Sequence, residues 1–137
     1  MTLRILIVDD EPAIHEVMEA YLRKFLDDFE LISAANGFEA VLRAKDCMKK
    51  GRTPDFVLMD MKMPEMNGFE CTKTLTELGI SNIHLLTAYF DGESLKQAAE
   101  VGAKGVLKKS DGFASVAKKV AELLRGSKEP TPQPSSV

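Results

Sequence analysis

The chain has 137 residues, of which 45% are hydrophobic and 28% charged, and its net charge is -3. This length accommodates one domain with a full core and is short for two, and the balance is that of a soluble globular protein. No stretch approaches the roughly 20 apolar residues of a membrane span, and the acidic balance supplies no basic field for a phosphate backbone, so neither membrane insertion nor direct nucleic-acid binding is expected.

Arg4-Ile5-Leu6-Ile7-Val8 is a strand-like apolar run that ends in Asp9, Asp10 and Glu11. No signal-peptide core precedes it, so a cytoplasmic location is expected. Pro12 to about Phe25 carries Ile14, Val17, Met18, Tyr21, Leu22 and Phe25 at three-four spacing, which predicts one apolar helical face. Pro12 suits a first helical turn, where its missing N–H is no loss. Phe29 to Ala34 is a second strand, and Asn36-Gly37 ends it before a helix through Phe38, Val41, Leu42 and Ala44. Gly51-Arg52-Thr53-Pro54 breaks the chain ahead of a third strand, Phe56-Val57-Leu58-Met59, which closes on Asp60.

Phe69 to Leu78 then reads as a helix stopped by Gly79, and Ile83 to Thr87 as the fourth strand. A more polar helix spans Asp91 to Val101, and Gly105 to Lys108 forms a short fifth strand. The last helix runs from about Gly112, with Phe113, Val116, Ala117, Val120, Leu123 and Leu124 on one face, and Gly126 closes it. Strands alternate with helices five times, the pattern of a parallel α/β sheet covered on both faces. We delimit one domain, residues 1–126, followed by a Pro- and Ser-rich tail or linker, residues 127–137.

Parallel strands bring their carboxyl ends to one edge, where open α/β sheets place their chemistry. That edge receives Asp9 and Asp10, Asp60, Thr87 and Lys109 from four different strands. Carboxylates that close require a cation, and Mg²⁺ takes one or two carboxylates together with water and phosphate oxygens. A hydroxyl and an ammonium beside them complete a site for a phosphoryl group. Two simpler readings stand beside this one: Asp9, Asp10 and Glu11 as a capping cluster on the first helix, and Lys108 rather than Lys109 as the lysine facing the site. His15 reads as a solvated surface residue and His84 as a packing residue. Cys47 and Cys71 lack CxxC spacing and read as reduced packing residues. Lys96, Lys104, Lys108, Lys118 and Lys119 give the C-terminal third a basic bias, either a solvated face or a docking surface.

The Asp9-Asp10 pair, the loop from Asp60 through Lys62-Met63-Pro64-Glu65-Met66-Asn67 to Gly68, Thr87-Ala88, and Gly102-Ala103 followed by Lys109 together resemble the receiver domain of two-component response regulators, of the chemotaxis-regulator kind. The resemblance covers about residues 3 to 125. It implies a flavodoxin-like, doubly wound five-stranded parallel sheet in the order 2-1-3-4-5 with five helices. It implies that Asp60 accepts a phosphoryl group from a histidine kinase or phosphotransfer protein. It further implies Mg²⁺ or Mn²⁺ held by Asp10, Asp60 and the Lys62 backbone carbonyl, with Asp9 acting through water. Thr87 and Lys109 then receive the phosphoryl oxygens, and a downstream output protein or domain reads the change. Dimerisation through the fourth helix, fifth strand and fifth helix is common in the family.

Two positions depart from the family pattern. Ser110 follows Lys109 where receivers often have Pro, and Val106 stands where an aromatic often swings inward; Ala88 and Tyr89 flank Thr87. Lys62 and Tyr89 occupy the variable positions that influence hydrolysis, and long side chains at both imply a persistent phosphoryl state. No separate substrate turnover is expected beyond the chain's own phosphotransfer and slow dephosphorylation. A phosphatase of the aspartate-nucleophile type expects a second Asp two residues on, where this chain has Lys62, and no GxxxxGK loop is present for nucleotide hydrolysis. The alternative is a receiver-like scaffold that binds partners without phosphorylation.

Overall fold

The computed structural model describes residues 2–88 and 91–126. Its elements in chain order are β1 (Leu3–Val8), α1 (Pro12–Leu22), β2 (Phe29–Ala34), α2 (Gly37–Lys49), β3 (Phe56–Asp60), α3 (Gly68–Glu77), β4 (Ile83–Thr87), α4 (Gly92–Glu100), β5 (Gly105–Lys108), a 3₁₀ turn (Lys109–Asp111) and α5 (Phe113–Gly126). All strand pairs are parallel and the sheet order is β2-β1-β3-β4-β5. This is the doubly wound, flavodoxin-like topology expected.

Side-chain alternation along each strand divides the interior in two. Ile5 and Ile7 of β1, Leu58 of β3 and Leu107 of β5 face α1 and α5, where they meet Met18, Leu22, Val116, Val120 and Leu124. Leu6 and Val8, with Val57 and Met59, face the other way onto Ala40 and Ala44 of α2, Cys71 and Leu75 of α3 and Ala98 of α4. β3 and β4 are buried at every position because both faces are covered, whereas the edge strand β2 carries Glu30 and Ser33 and is partly open. The small residues Ala40 and Ala44 let α2 lie close to the sheet.

Local chemistry sets the helix limits. Asn36 caps α2 by accepting from the Glu39 amide at 2.8 Å, and Asp91 caps α4 by accepting from the Ser94 amide at 2.9 Å. Asn67 and Glu70 form a reciprocal capping box on α3. The first helix was expected to reach Phe25 and stops at Leu22. There the Lys24 and Phe25 amides donate to carbonyls three residues back, which tightens the chain into a turn while Phe25 still packs against the core.

His84 is a packing residue, only 6% exposed, stacked on Phe56 with ring centroids 4.8 Å apart and planes 7° from parallel. Burial holds its pKa below the ordinary histidine value, and its Nδ1 has no hydrogen-bond partner. The folded chain therefore resists a proton that the unfolded chain accepts. Stability is unaffected well above the unfolded value of about 6.5 and falls as pH drops through it. Urea midpoints at pH 5 and pH 7.5 should differ less in His84→Leu than in the wild type; an equal difference in both proteins would assign the acid sensitivity elsewhere.

Candidate functional site

Three carboxylates and one ammonium meet at the carboxyl edge of the sheet. Asp9 follows β1, its amide donating to the Ala34 carbonyl at 3.0 Å, and its side chain is 1% exposed. Asp60 ends β3 and is 4% exposed, whereas Asp10 is open to solvent. One oxygen from each of Asp9, Asp10 and Asp60 lies within 4.8 Å of the others. Lys109 opens the turn after β5 and places Nζ 3.2 Å from Asp60 Oδ1 and 3.9 Å from Asp9 Oδ2. Lys108, its neighbour, is exposed.

Burial pushes the Asp9 carboxyl up to about 6, and the negative charge of Asp60 adds to this. The Glu11 amide, donating to Asp9 Oδ1 at 2.9 Å, and the Lys109 ammonium act against it. Asp60 is likewise raised by burial and opposed by Lys109 and by the Lys62 amide. Asp9 Oδ2 is buried with no hydrogen bond. The site thus holds more negative charge than its protein donors satisfy, the condition in which a hard cation binds.

The capping explanation of the acidic cluster does not match this geometry. Glu11 is the N-cap of α1 and makes no side-chain cap, while Asp9 turns back toward Lys109. Glu11 itself is exposed and contributes its amide rather than its carboxylate.

The loop between β3 and α3 is fixed by backbone contacts. The Met61 amide donates to the Leu86 carbonyl at 3.2 Å and the Gly68 amide to the Met61 carbonyl at 3.0 Å. A Cβ on Gly68 would sit 2.5 Å from the Asp60 carbonyl oxygen, so only glycine lets α3 start this close to β3. Glu65 adopts φ 73°, a left-handed conformation that a residue with a Cβ resists. Lys62 is exposed and lines an open groove with Met61, Met63, Pro64, Asn67 and Phe69.

Thr87 ends β4, 7% exposed and opposite Lys108 in the β4–β5 register, and Ala88 beyond it is exposed. Val106 is half-buried on the α3–α4 side of the sheet, Ser110 is exposed, and no peptide bond among the described residues is cis. Tyr89 lies outside the described residues, as does the tail.

His15 corrects the sequence reading. It is half-buried rather than solvated, with Nε2 2.8 Å from the Asp9 carbonyl oxygen. A carbonyl only accepts, so Nε2 carries the proton and fastens α1 to the acidic loop. Its position six residues after Asp9, in the first turns of a helix that folds back beside the strand end, is the only signal the sequence offers.

A doubly wound parallel sheet with a carboxylate cluster and a lysine at its carboxyl edge defines a class of α/β module whose ligands bind at that edge. Comparison with known proteins sharpens the class. The response regulator receiver domain family matches residues 5–121, and the chain belongs to that family, the receivers of two-component signalling. It is 34% identical over 126 residues to the transcriptional regulatory protein LnrK of Bacillus subtilis, covering 90% of this chain and 54% of that protein. The chain spans about half the length of LnrK and of the other transcriptional regulators that it matches. To chemotaxis protein CheY of Halobacterium salinarum it is 34% identical over 127 residues, covering 90% of this chain and 98% of that one. Among solved structures, a chain of the CheX-CheY-BeF3-Mg+2 complex from Borrelia burgdorferi superposes with TM-score 0.76 at 26% identity, covering 88% of each chain. No helix among the described residues is long and apolar enough to cross a membrane.

Two consequences can be measured by urea denaturation without divalent ions. Lys109→Ala should destabilise by about 1–3 kcal/mol, since buried charges lose their partner, whereas Asp60→Asn should stabilise; the double variant should depart from additivity, and strict additivity would rule out the coupling. Glu65→Gly should raise stability by about 0.5–1 kcal/mol by relieving the left-handed backbone, and an unchanged or lower midpoint would count against that strain.

Proposed function

We propose that the chain accepts a phosphoryl group on Asp60 from a phosphohistidine of a kinase or phosphotransfer protein, and that the modified form changes its affinity for an output partner. The observation that carries this is the meeting of Asp9, Asp10 and Asp60 within 4.8 Å, with Lys109 3.2 Å from Asp60. Turnover of a separate substrate is no part of the reading.

The donor set fits Mg²⁺ or Mn²⁺: all hard oxygens, one of them a buried carboxylate oxygen without a hydrogen bond. Asp10 and Asp60 would hold the ion directly, with the Lys62 carbonyl, and Asp9 through water. When bound, the ion offsets the crowded carboxylates and the charge of the incoming phosphoryl group. The Asp60 carboxylate attacks phosphorus, the bond from phosphorus to the donor's imidazole nitrogen breaks, and the imidazole leaves with its electron pair. Lys109 is already within reach of Asp60 and stabilises the charge that builds on the phosphoryl oxygens. Thr87 closes on those oxygens from the end of β4, and the flanking Ala88 moves with it.

Residues 1–126 form the receiver, and 127–137 form a tail or a linker to an output domain. The cytoplasm is the compartment that this reading assigns to the chain. Val106 and Ser110 stand where the family usually has an aromatic and a proline, so the change is read out by packing around Thr87 rather than by an inward-swinging ring. The long Lys62 side chain, at a position that influences hydrolysis in the family, slows attack by water and prolongs the phosphoryl state. A pairing of copies through α4, β5 and α5 is compatible with this scheme.

Intact mass spectrometry after incubation with acetyl phosphate and Mg²⁺ should show one added phosphoryl group on the wild type and none on Asp60→Asn. Omission of Mg²⁺ should suppress the adduct, and Asp10→Asn should raise the Mg²⁺ concentration needed to form it. A wild-type chain that gains no mass under these conditions would leave the phosphorylation-independent scaffold as the better account.

A further inference from the structure

Large hydrophobic side chains exposed among the described residues include Phe38, at 54%, and Leu42, at 68%, one helical turn apart on α2. The same stripe continues as Lys45 and Lys49, both exposed. Ala40 and Ala44 face inward and are fully buried, so the outward stripe adds nothing to the core. Its first turn is nonetheless closely packed. A Cβ on Gly37 would lie 2.6 Å from Met66 Sδ, and Cys71 Sγ donates to the Gly37 carbonyl at 3.6 Å, which anchors the start of α2.

The charge here opposes that of the whole chain. From Arg43 to Arg52 there are five basic residues and one acidic, in a protein whose net charge is -3. Arg43 pairs with Glu39 at 4.0 Å and Lys50 with Asp46 at 3.1 Å, both one turn apart. Lys45, Lys49 and Arg52 have no ion pair among the described residues. Beside the stripe, α2 and the edge strand β2 enclose a groove of about 750 Å³ with Leu31, Ile32 and Leu42 in its walls; Arg4, paired with Glu30 at 3.3 Å, and Arg52 also line it, as do Glu39 and Asp46.

We propose that this face docks an acidic amphipathic helix of a protein partner. Its apolar side chains cover Phe38 and Leu42 and enter the groove, and its carboxylates meet Lys45 and Lys49 one and two turns along. The spacing favours a helix because the apolar and basic positions on α2 repeat at helical pitch, which a second helix matches with its own i, i+4 and i+7 positions. A lipid surface fits less well. Two apolar side chains flanked by Glu39 and Asp46 make a narrow face, and a flat membrane leaves the groove unfilled. The proposal requires neither Asp60 nor a metal ion, so it stands or falls separately from phosphotransfer.

The test uses the full chain, ¹⁵N-labelled, without Mg²⁺ or phosphodonor. It is titrated with a synthetic helix bearing leucines at i and i+4 and glutamates at i+7 and i+11. Amide shifts should be confined to α2, β2 and their connecting loops, and should weaken as salt is raised. Leu42→Ala, a surface change whose spectrum reports folding directly, should lower affinity about tenfold, the loss expected for one buried leucine contact. Lys45→Glu/Lys49→Glu should abolish binding of the glutamate helix and gain binding of its lysine counterpart. No shifts, shifts centred on another face, or equal binding of a glutamine-for-glutamate helix would overturn the proposal. Tighter binding to phosphatidylserine vesicles than to the peptide would assign the face to lipid and overturn it as well.

Discussion

The ammonium of Lys109 lies between two carboxylates that the sheet topology forces together. Asp9 and Asp60 leave adjacent parallel strands at the same edge, so their proximity follows from the pairing of β1 with β3. Burial then removes the water that would screen them. Lys109, carried from the far side of the sheet by β5, is the cation within the protein that answers this charge. The rest of the edge is organised around the same requirement: Gly68 allows α3 to begin against the Asp60 carbonyl, and His15 ties α1 to Asp9.

This arrangement is deliberately incomplete. One ammonium cannot satisfy three carboxylates, and the buried Asp9 oxygen that lacks a hydrogen bond records the shortfall. A pocket in which every charge was matched would be more stable and less responsive, because an incoming cation or anion would have nothing to relieve. The chain belongs to a family of signalling modules, and under the function proposed above the unrelieved charge is the quantity on which a signal acts.

The fold was largely legible because both sheet faces are covered. β2, β4 and β5 have the limits the sequence predicts, each a continuous apolar or short bounded run. The helices were less well delimited. Apolar spacing persists through Phe25 although the backbone has already tightened into a turn, since a side chain can pack against a core from either conformation. At the site, sequence order named the residues at each strand end but said nothing of their unequal exposure, with Asp9 buried and Asp10 open. His15 was misread for a related reason. A polar residue on an amphipathic helix looks solvated until tertiary placement brings the strand end beside it.

The members of the edge are not held with equal firmness. β3 is paired on both sides, by β1 and β4, whereas β5 is a four-residue edge strand paired only with β4. Opening β5 breaks one ladder, while opening β3 breaks the sheet. Amide exchange should therefore find the backbone beneath Lys109 loosening well before the backbone beneath Asp60. The anionic half of the site then outlasts its internal counter-charge in any opening that begins at β5, leaving a bare acidic pocket whose attraction for external cations is greatest in the moments when the lysine has drifted away.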